Sequence, residues 1–88
     1  MVESGKMGEK LTNLNIDISV EILKTLTESS KTRGEIARKL SEKGYKRTTV
    51  YHYIARLEEL KLIEYFEKDK KIYYKITDRG KKFLEAFL

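Results

Sequence analysis

The chain has 88 residues, with 19 Lys+Arg against 14 Asp+Glu, a net charge of +5, one His and no Cys, Pro or Trp. This length supports one small domain with a thin core, which excludes a multi-domain enzyme and a large substrate cavity. The composition also excludes a disulfide framework and a Cys-based or multi-His metal centre within one chain. No apolar run is long enough to span a membrane and Met1–Lys10 lacks an apolar signal core, so a cytoplasmic protein without a cofactor is expected.

Residues 1–14 mix Gly, Lys, Glu, Ser and Asn and read as a flexible arm, from which Leu11, Leu14 and Ile16 offer apolar contacts. The domain itself is expected over residues 15–88. Asp17 reads as the N-cap of a first helix whose apolar stripe is Ile18, Ile22, Leu23 and Leu26. Ser29, Ser30 and Lys31 end it in a polar turn. Thr32-Arg33-Gly34-Glu35 fits the capping box, in which Thr accepts from the N3 amide and Glu reaches back to the cap. Ile36, Ala37 and Leu40 form the buried face of this second helix, about ten residues long, and Gly44 closes it in the left-handed conformation.

A third helix is expected from about Arg47 to Leu60, with Val50, Ile54, Leu57 and Leu60 as its stripe and Tyr53 and Leu62 beside it. Lys46, Arg47 and Thr48 are the candidate caps. The period then changes to two. Ile63–Glu67 and Lys71–Ile76 read as strands, with Ile72, Tyr74 and Ile76 alternating against Lys71, Tyr73 and Lys75. Lys68-Asp69-Lys70 joins them as a polar turn without Gly, which predicts a loose, basic tip. Thr77-Asp78 caps a final short helix with Phe83, Leu84, Phe87 and Leu88 on its apolar face. The class is α+β: three helices, a β-hairpin and a C-terminal helix.

Charge is unevenly spread. Residues 1–30 carry 3 Lys against 5 acids, residues 31–61 carry 9 Lys+Arg against 4 Glu, and residues 62–88 carry 7 against 5. The basic middle third is the two-helix unit, and a localised basic surface is the footprint of a polyanion binder. A merely solvated face has the same charge.

Two helices joined by a tight Gly-containing turn, the second basic at its start, form a helix-turn-helix, and a hairpin directly after makes the winged version. The stretches Thr32–Leu40, Thr48-Thr49-Val50-Tyr51 through Leu57-Glu58-Glu59-Leu60-Lys61-Leu62-Ile63, and Tyr73-Tyr74-Lys75-Ile76-Thr77-Asp78-Arg79-Gly80 resemble winged helix-turn-helix transcriptional regulators of the PadR, MarR and ArsR-like group of bacteria and archaea. The resemblance covers about residues 17–88. It implies a homodimer on double-stranded DNA, with the third helix in the major groove and the hairpin as a wing. Such proteins often carry Gly where Lys61 stands, because the chain leaves the helix there with positive φ. Lys61 therefore predicts a different exit.

With the buried stripe removed, the third helix presents Arg47, Thr48, Tyr51, His52, Ala55, Arg56 and Glu59. Positions 48, 52, 55 and 56 share one solvent arc. Thr49, Tyr51, His52 and Arg56 are the expected base contacts, and Thr48 and the first amides of the helix suit a phosphate or a base. Arg33, Arg38, Lys46, Arg47, Lys68, Lys70 and Lys71 are the expected flanking and wing contacts. The competing readings are an idle exposed His52, capping by Thr48 and Thr49, core-edge packing by Tyr53, and cross-strand packing by Tyr65, Tyr73 and Tyr74. Leu11, Leu14, Phe83, Leu84, Phe87 and Leu88 are expected at a dimer interface, the alternative being a helix packed on its own domain.

No nucleophile with a base, paired carboxylates or Gly-rich phosphate loop is legible, so no enzyme is expected. The alternative to a DNA-binding regulator is a winged-helix protein–protein interaction module in a transcription or nucleic-acid-processing complex. Such a module favours apolar residues on the exposed face of the third helix. Recognition of left-handed duplex or RNA is a third option, but the Pro- and Trp-containing wing typical of it is absent.

Overall fold

The computed structural model describes residues 15–87. The elements run α1 (Ile16–Glu28), α2 (Arg33–Ser41), α3 (Arg47–Glu59), β1 (Ile63–Lys68), β2 (Lys71–Ile76) and α4 (Asp78–Glu85). This is the expected order of three helices, hairpin and helix. The expectations for residues 1–14, including Leu11 and Leu14, and for Leu88 lie outside the described residues.

The apolar stripes meet in one core. Ile18, Ile22, Leu23 and Leu26 of α1, Ile36, Ala37 and Leu40 of α2, and Val50, Ile54 and Leu57 of α3 are all buried. Leu62, Ile63 and Leu84 close the core from the hairpin base and α4. The burial of these side chains is the main favourable term that three short helices have available.

The starts of α1, α2 and α4 are fixed by side chains, with one correction. Asn15, not Asp17, caps α1: its side chain accepts from the Ile18 amide, and Asp17 falls in the first turn. The Asn15 amide also donates to the Tyr53 hydroxyl of α3, so a tertiary contact selects this start. The capping box of α2 is formed as expected: the Glu35 amide donates to Thr32 Oγ1, and the Thr32 amide donates to Glu35 Oε1 at 2.8 Å. Thr77 caps α4 by accepting from the Gly80 amide.

The helix ends explain two further departures. Gly44 closes α2 at φ 92°, with the Gly44 amide donating to the Ser41 carbonyl and the Tyr45 amide to the Leu40 carbonyl. Helix α3 closes in the same way, with Lys61 at φ 65°. The Lys61 amide donates to the Glu58 carbonyl and the Leu62 amide to the Leu57 carbonyl. This pair of bonds is the Schellman motif, which normally recruits Gly at its left-handed position. Lys61 therefore keeps the glycine-type exit instead of altering it. The turn also redirects the chain so that Leu62 is buried over the end of α3. Leu60, expected in the stripe, is consequently 39% exposed.

The strands pair antiparallel from Ile63↔Ile76 to Lys68↔Lys71. Lys68 belongs to β1, and the turn is the two residues Asp69 and Lys70, at φ 53° and 65°. Two positive-φ residues define the type I′ geometry, whose twist matches that of a hairpin. The tip is thus tight, not loose, and the left-handed strain normally relieved by Gly is borne by Asp and Lys. Tyr65 and Tyr74 meet edge-on, and Phe66 and Tyr73 stack at 5.7 Å between centroids, as expected for cross-strand pairs. Ile72, on the apolar side of the β2 alternation, is 43% exposed, one position from the tip pair Lys68↔Lys71.

The residues read as a polar turn after α1 hold a further sheet element. Lys31 bridges antiparallel to Tyr74, with amide–carbonyl bonds of 3.1 and 2.7 Å in the two directions. This bridge ties β2 to the start of α2 and so sets the hairpin against the helix-turn-helix unit.

Candidate nucleic-acid interface

The first turn of α3 is built differently from the other three. Asp17, Glu35 and Asp78 lie in the first turns of α1, α2 and α4, and each of those helices has a side-chain cap. Helix α3 has no acidic residue there and no side-chain cap hydrogen bond; Lys46 occupies the cap position and Arg47 follows. Thr48 and Thr49 thus do not cap the helix, so that competing reading falls. A helix N-terminus carries roughly half a positive charge, so Lys46 and Arg47 oppose the dipole by about 0.3–1 kcal/mol each. Glu58 and Glu59 oppose it at the other end, partly offset by Arg56. Lys46, Arg47, Thr48 and Thr49 are all exposed, so the uncapped amides and these side chains face solvent together.

Further along the same helix, His52 is exposed and packs edge-on against Tyr53, with 5.8 Å between ring centroids. Tyr53 is half-buried and accepts from Asn15, which fits its reading as core edge. Arg56 is half-buried, less open than the sequence arc implies. Tyr51 is half-buried and packs against the core. The Arg33 guanidinium, from the first turn of α2, lies 4.8 Å above its ring centroid. This contact between two expected DNA residues joins α2 to α3, and no period in the sequence announces it.

Arg33 also lines a cleft of about 390 Å³ with Thr32, Lys71, Ile72 and Tyr74. The cleft lies where the start of α2 meets the hairpin, so Arg33 and the wing residue Lys71 share a surface. Burial raises the Tyr74 phenol above its usual pKa, with the Glu58 carboxylate adding to the shift and Arg33 opposing it. Tyr74 therefore stays a neutral donor at physiological pH. Lys68 and Lys71 stand directly opposite each other at the tip, with Lys70 in the turn between them. Like charges in register are unfavourable in a free hairpin. A polyanion would relieve that repulsion.

Arg38 is placed elsewhere. It lines a smaller cleft of about 150 Å³ with Lys31, Glu35, Lys39 and Glu42. Glu35 is held below its usual carboxylate range, chiefly by the hydrogen bond from the Thr32 amide, so it is ionised there. Lys31 joins this basic group although it was read only as a turn residue; its pairing with β2 is what puts it there.

On the opposite terminus, Leu84 is 4% exposed and belongs to the chain's own core. It is therefore not available for a contact with a second copy. Phe87 is 48% exposed and packs on half-buried Phe83 at 5.1 Å between ring centroids. Phe87 also lines an open groove with Ile16, Asp17, Val20, Glu21, Lys24 and Tyr45.

Among the described residues, no group of His, Asp and Glu is arranged to hold a metal ion, and no helix is long and apolar enough to cross a membrane. No curated protein matches the chain. Solved structures share its fold, among them these two. One is PadR from Bacillus subtilis, solved in complex with operator DNA, at TM-score 0.67 and 22% identity, covering 78% of this chain and 45% of that one. The chain thus spans less than half the length of that protein. The other is the transcriptional repressor BigR from Xylella fastidiosa, at TM-score 0.70 and 20% identity, covering 97% of this chain and 82% of that one. The architecture is the winged helix of these proteins. The model of the transcriptional regulator PadR-like family matches residues 22–86, from the middle of α1 to the end of α4. The chain therefore belongs to the PadR-like family of transcriptional regulators.

Proposed function

We propose that the chain is a dimeric transcriptional regulator that binds double-stranded DNA sequence-specifically, with α3 in the major groove and the hairpin as wing. The observation that carries this reading is the first turn of α3. It is exposed and uncapped, and it is lined by Lys46, Arg47, Thr48 and Thr49 against the sense of its own dipole. A phosphate at that turn satisfies the open amides and neutralises the misplaced cations together. Thr49, Tyr51, His52 and Arg56 then contact bases, and Arg47, Lys68, Lys70 and Lys71 take phosphates. The B. subtilis PadR complex supports the same partner, because that relative was solved on its operator.

The exposed residues of α3 are polar apart from Ala55, which disfavours a protein-interaction module on this face. The dimer contact in this reading uses Phe83 of α4 and Phe87 just beyond it, with Leu11, Leu14 and Leu88, and sets two recognition helices about one DNA turn (roughly 34 Å) apart. Selection of binders from a random duplex library, followed by fluorescence anisotropy on the enriched site, tests the function. Enrichment of an inverted repeat supports it. Absence of any duplex binding at low salt overturns it.

A further inference from the structure

We infer that Arg33 is a positioning residue for the DNA-reading face, and that Arg33 and Tyr51 act as one preorganised unit. This rests on the duplex-binding reading above and goes beyond it, because Arg33 by charge alone is one more phosphate contact. Its surroundings say otherwise. The carboxylate nearest in sequence, Glu35, is engaged by the Thr32 amide at 2.8 Å. Arg33 takes no part in the Lys43–Glu21 or the Lys75–Glu64 ion pair. Its partner is the Tyr51 ring, at 4.8 Å.

Both ends of that contact are anchored. The capping box fixes the backbone on which Arg33 stands, immediately after Thr32. Tyr51 stands one turn into α3, half-buried against the core, in the helix that also carries Thr48 and His52. A tyrosine on a helix surface has two soft torsions, and ordering them on binding costs affinity. A guanidinium held over the ring at 4.8 Å removes much of that freedom before DNA arrives. Arg33 also lines the cleft it shares with Lys71, and a guanidinium offers its N–H donors in a rigid fork. The unit thus couples three elements at the reading face: the start of α2, the recognition helix and the wing.

The test uses the full chain, the duplex enriched from the random library, and a panel with each base pair substituted in turn. The variants are Arg33→Lys, Arg33→Ala, Tyr51→Leu and the double variant Arg33→Ala/Tyr51→Leu, with thermal melts to show that each is folded. Tyr51→Leu is expected to flatten discrimination at one or two base pairs. Arg33→Ala is expected to lose discrimination at the same base pairs, by about two- to fivefold, the range of an exposed cation–π contact. Arg33→Lys keeps the charge but not the broad, weakly hydrated guanidinium that sits over the ring, so it fails to rescue. In the double variant the loss of Arg33 adds nothing. Two results overturn the inference: Arg33→Lys behaving as wild type while Arg33→Ala weakens all sequences equally, or additive losses in the double variant. Failure of the wild-type chain to bind any duplex is a separate result, and it overturns the function beneath the inference.

Discussion

Gly80→Ala is expected to be the most damaging single-methyl change in the domain. Gly80 lies in the first turn of α4, and a Cβ there would collide with the Leu62 carbonyl oxygen and fall 2.7 Å from Ile76 Cγ1. Neither neighbour yields cheaply. The Leu62 carbonyl accepts from the Thr77 amide, and the Thr77 hydroxyl donates to the Lys61 carbonyl at 2.7 Å. Moving α4 away strains both bonds and lifts Leu84 from the core. Overpacking alone costs about 1–3 kcal/mol. Weakening the two hydrogen bonds adds to that, which gives about 3 kcal/mol. For a domain of this size, 3 kcal/mol lowers Tm by about 12–24 °C. Gly34→Ala in α2 is the matched control, because a Cβ there meets only Thr32 Oγ1 at 3.9 Å. Helix propensity then governs, and Gly34→Ala should stabilise by up to about 1 kcal/mol. Circular-dichroism melts of both variants suffice. A Tm for Gly80→Ala at or above wild type would refute the close approach of α4 to the hairpin base.

Lys61→Gly should raise stability by about 1 kcal/mol, because Lys61 sits at φ 65° in a motif suited to glycine. Chemical denaturation reads it, and an unchanged midpoint would contradict the exit geometry. Lys70→Gly should act with opposite signs in two assays. Relief of the left-handed residue at φ 65° raises the melting temperature, while loss of a wing cation weakens binding to all duplexes about equally. Glu35 supplies a pH dependence. Its folded pKa lies below its ordinary value, so its contribution is present above the unfolded pKa and is lost as pH falls through the folded one. Glu35→Gln, which can still bond the Thr32 amide, should flatten this acid-side loss in melts taken across the acidic range.

The helices and hairpin were legible because each rests on a local signal. The stripes from Ile18 to Leu26 and from Val50 to Leu57 have one period each, and the Thr32–Glu35 box needs only four residues. What was misread depends on distant partners. Asn15 displaces Asp17 as cap while bonding Tyr53 across the fold. The Lys31–Tyr74 bridge has one residue per strand and so no period. Lys61, Asp69 and Lys70 adopt positive φ without Gly because the surrounding turns and register demand it. The candidate DNA residues were legible as types on a basic helix. That Arg33 lies on Tyr51, and that Leu84 belongs to the chain's own core, are tertiary facts.

The central claim is that the exposed, uncapped start of α3 meets DNA phosphates and bases. Its most direct measurement is the affinity for the library-enriched duplex, taken as a function of salt, for wild type and for Arg47→Ala. The account predicts a steep linear fall of log affinity with log salt, with each phosphate contact contributing about 0.9 to the slope. Loss of Arg47 should remove about one such contact per chain. Tight duplex binding with a flat salt dependence, or a slope indifferent to Arg47, would contradict it.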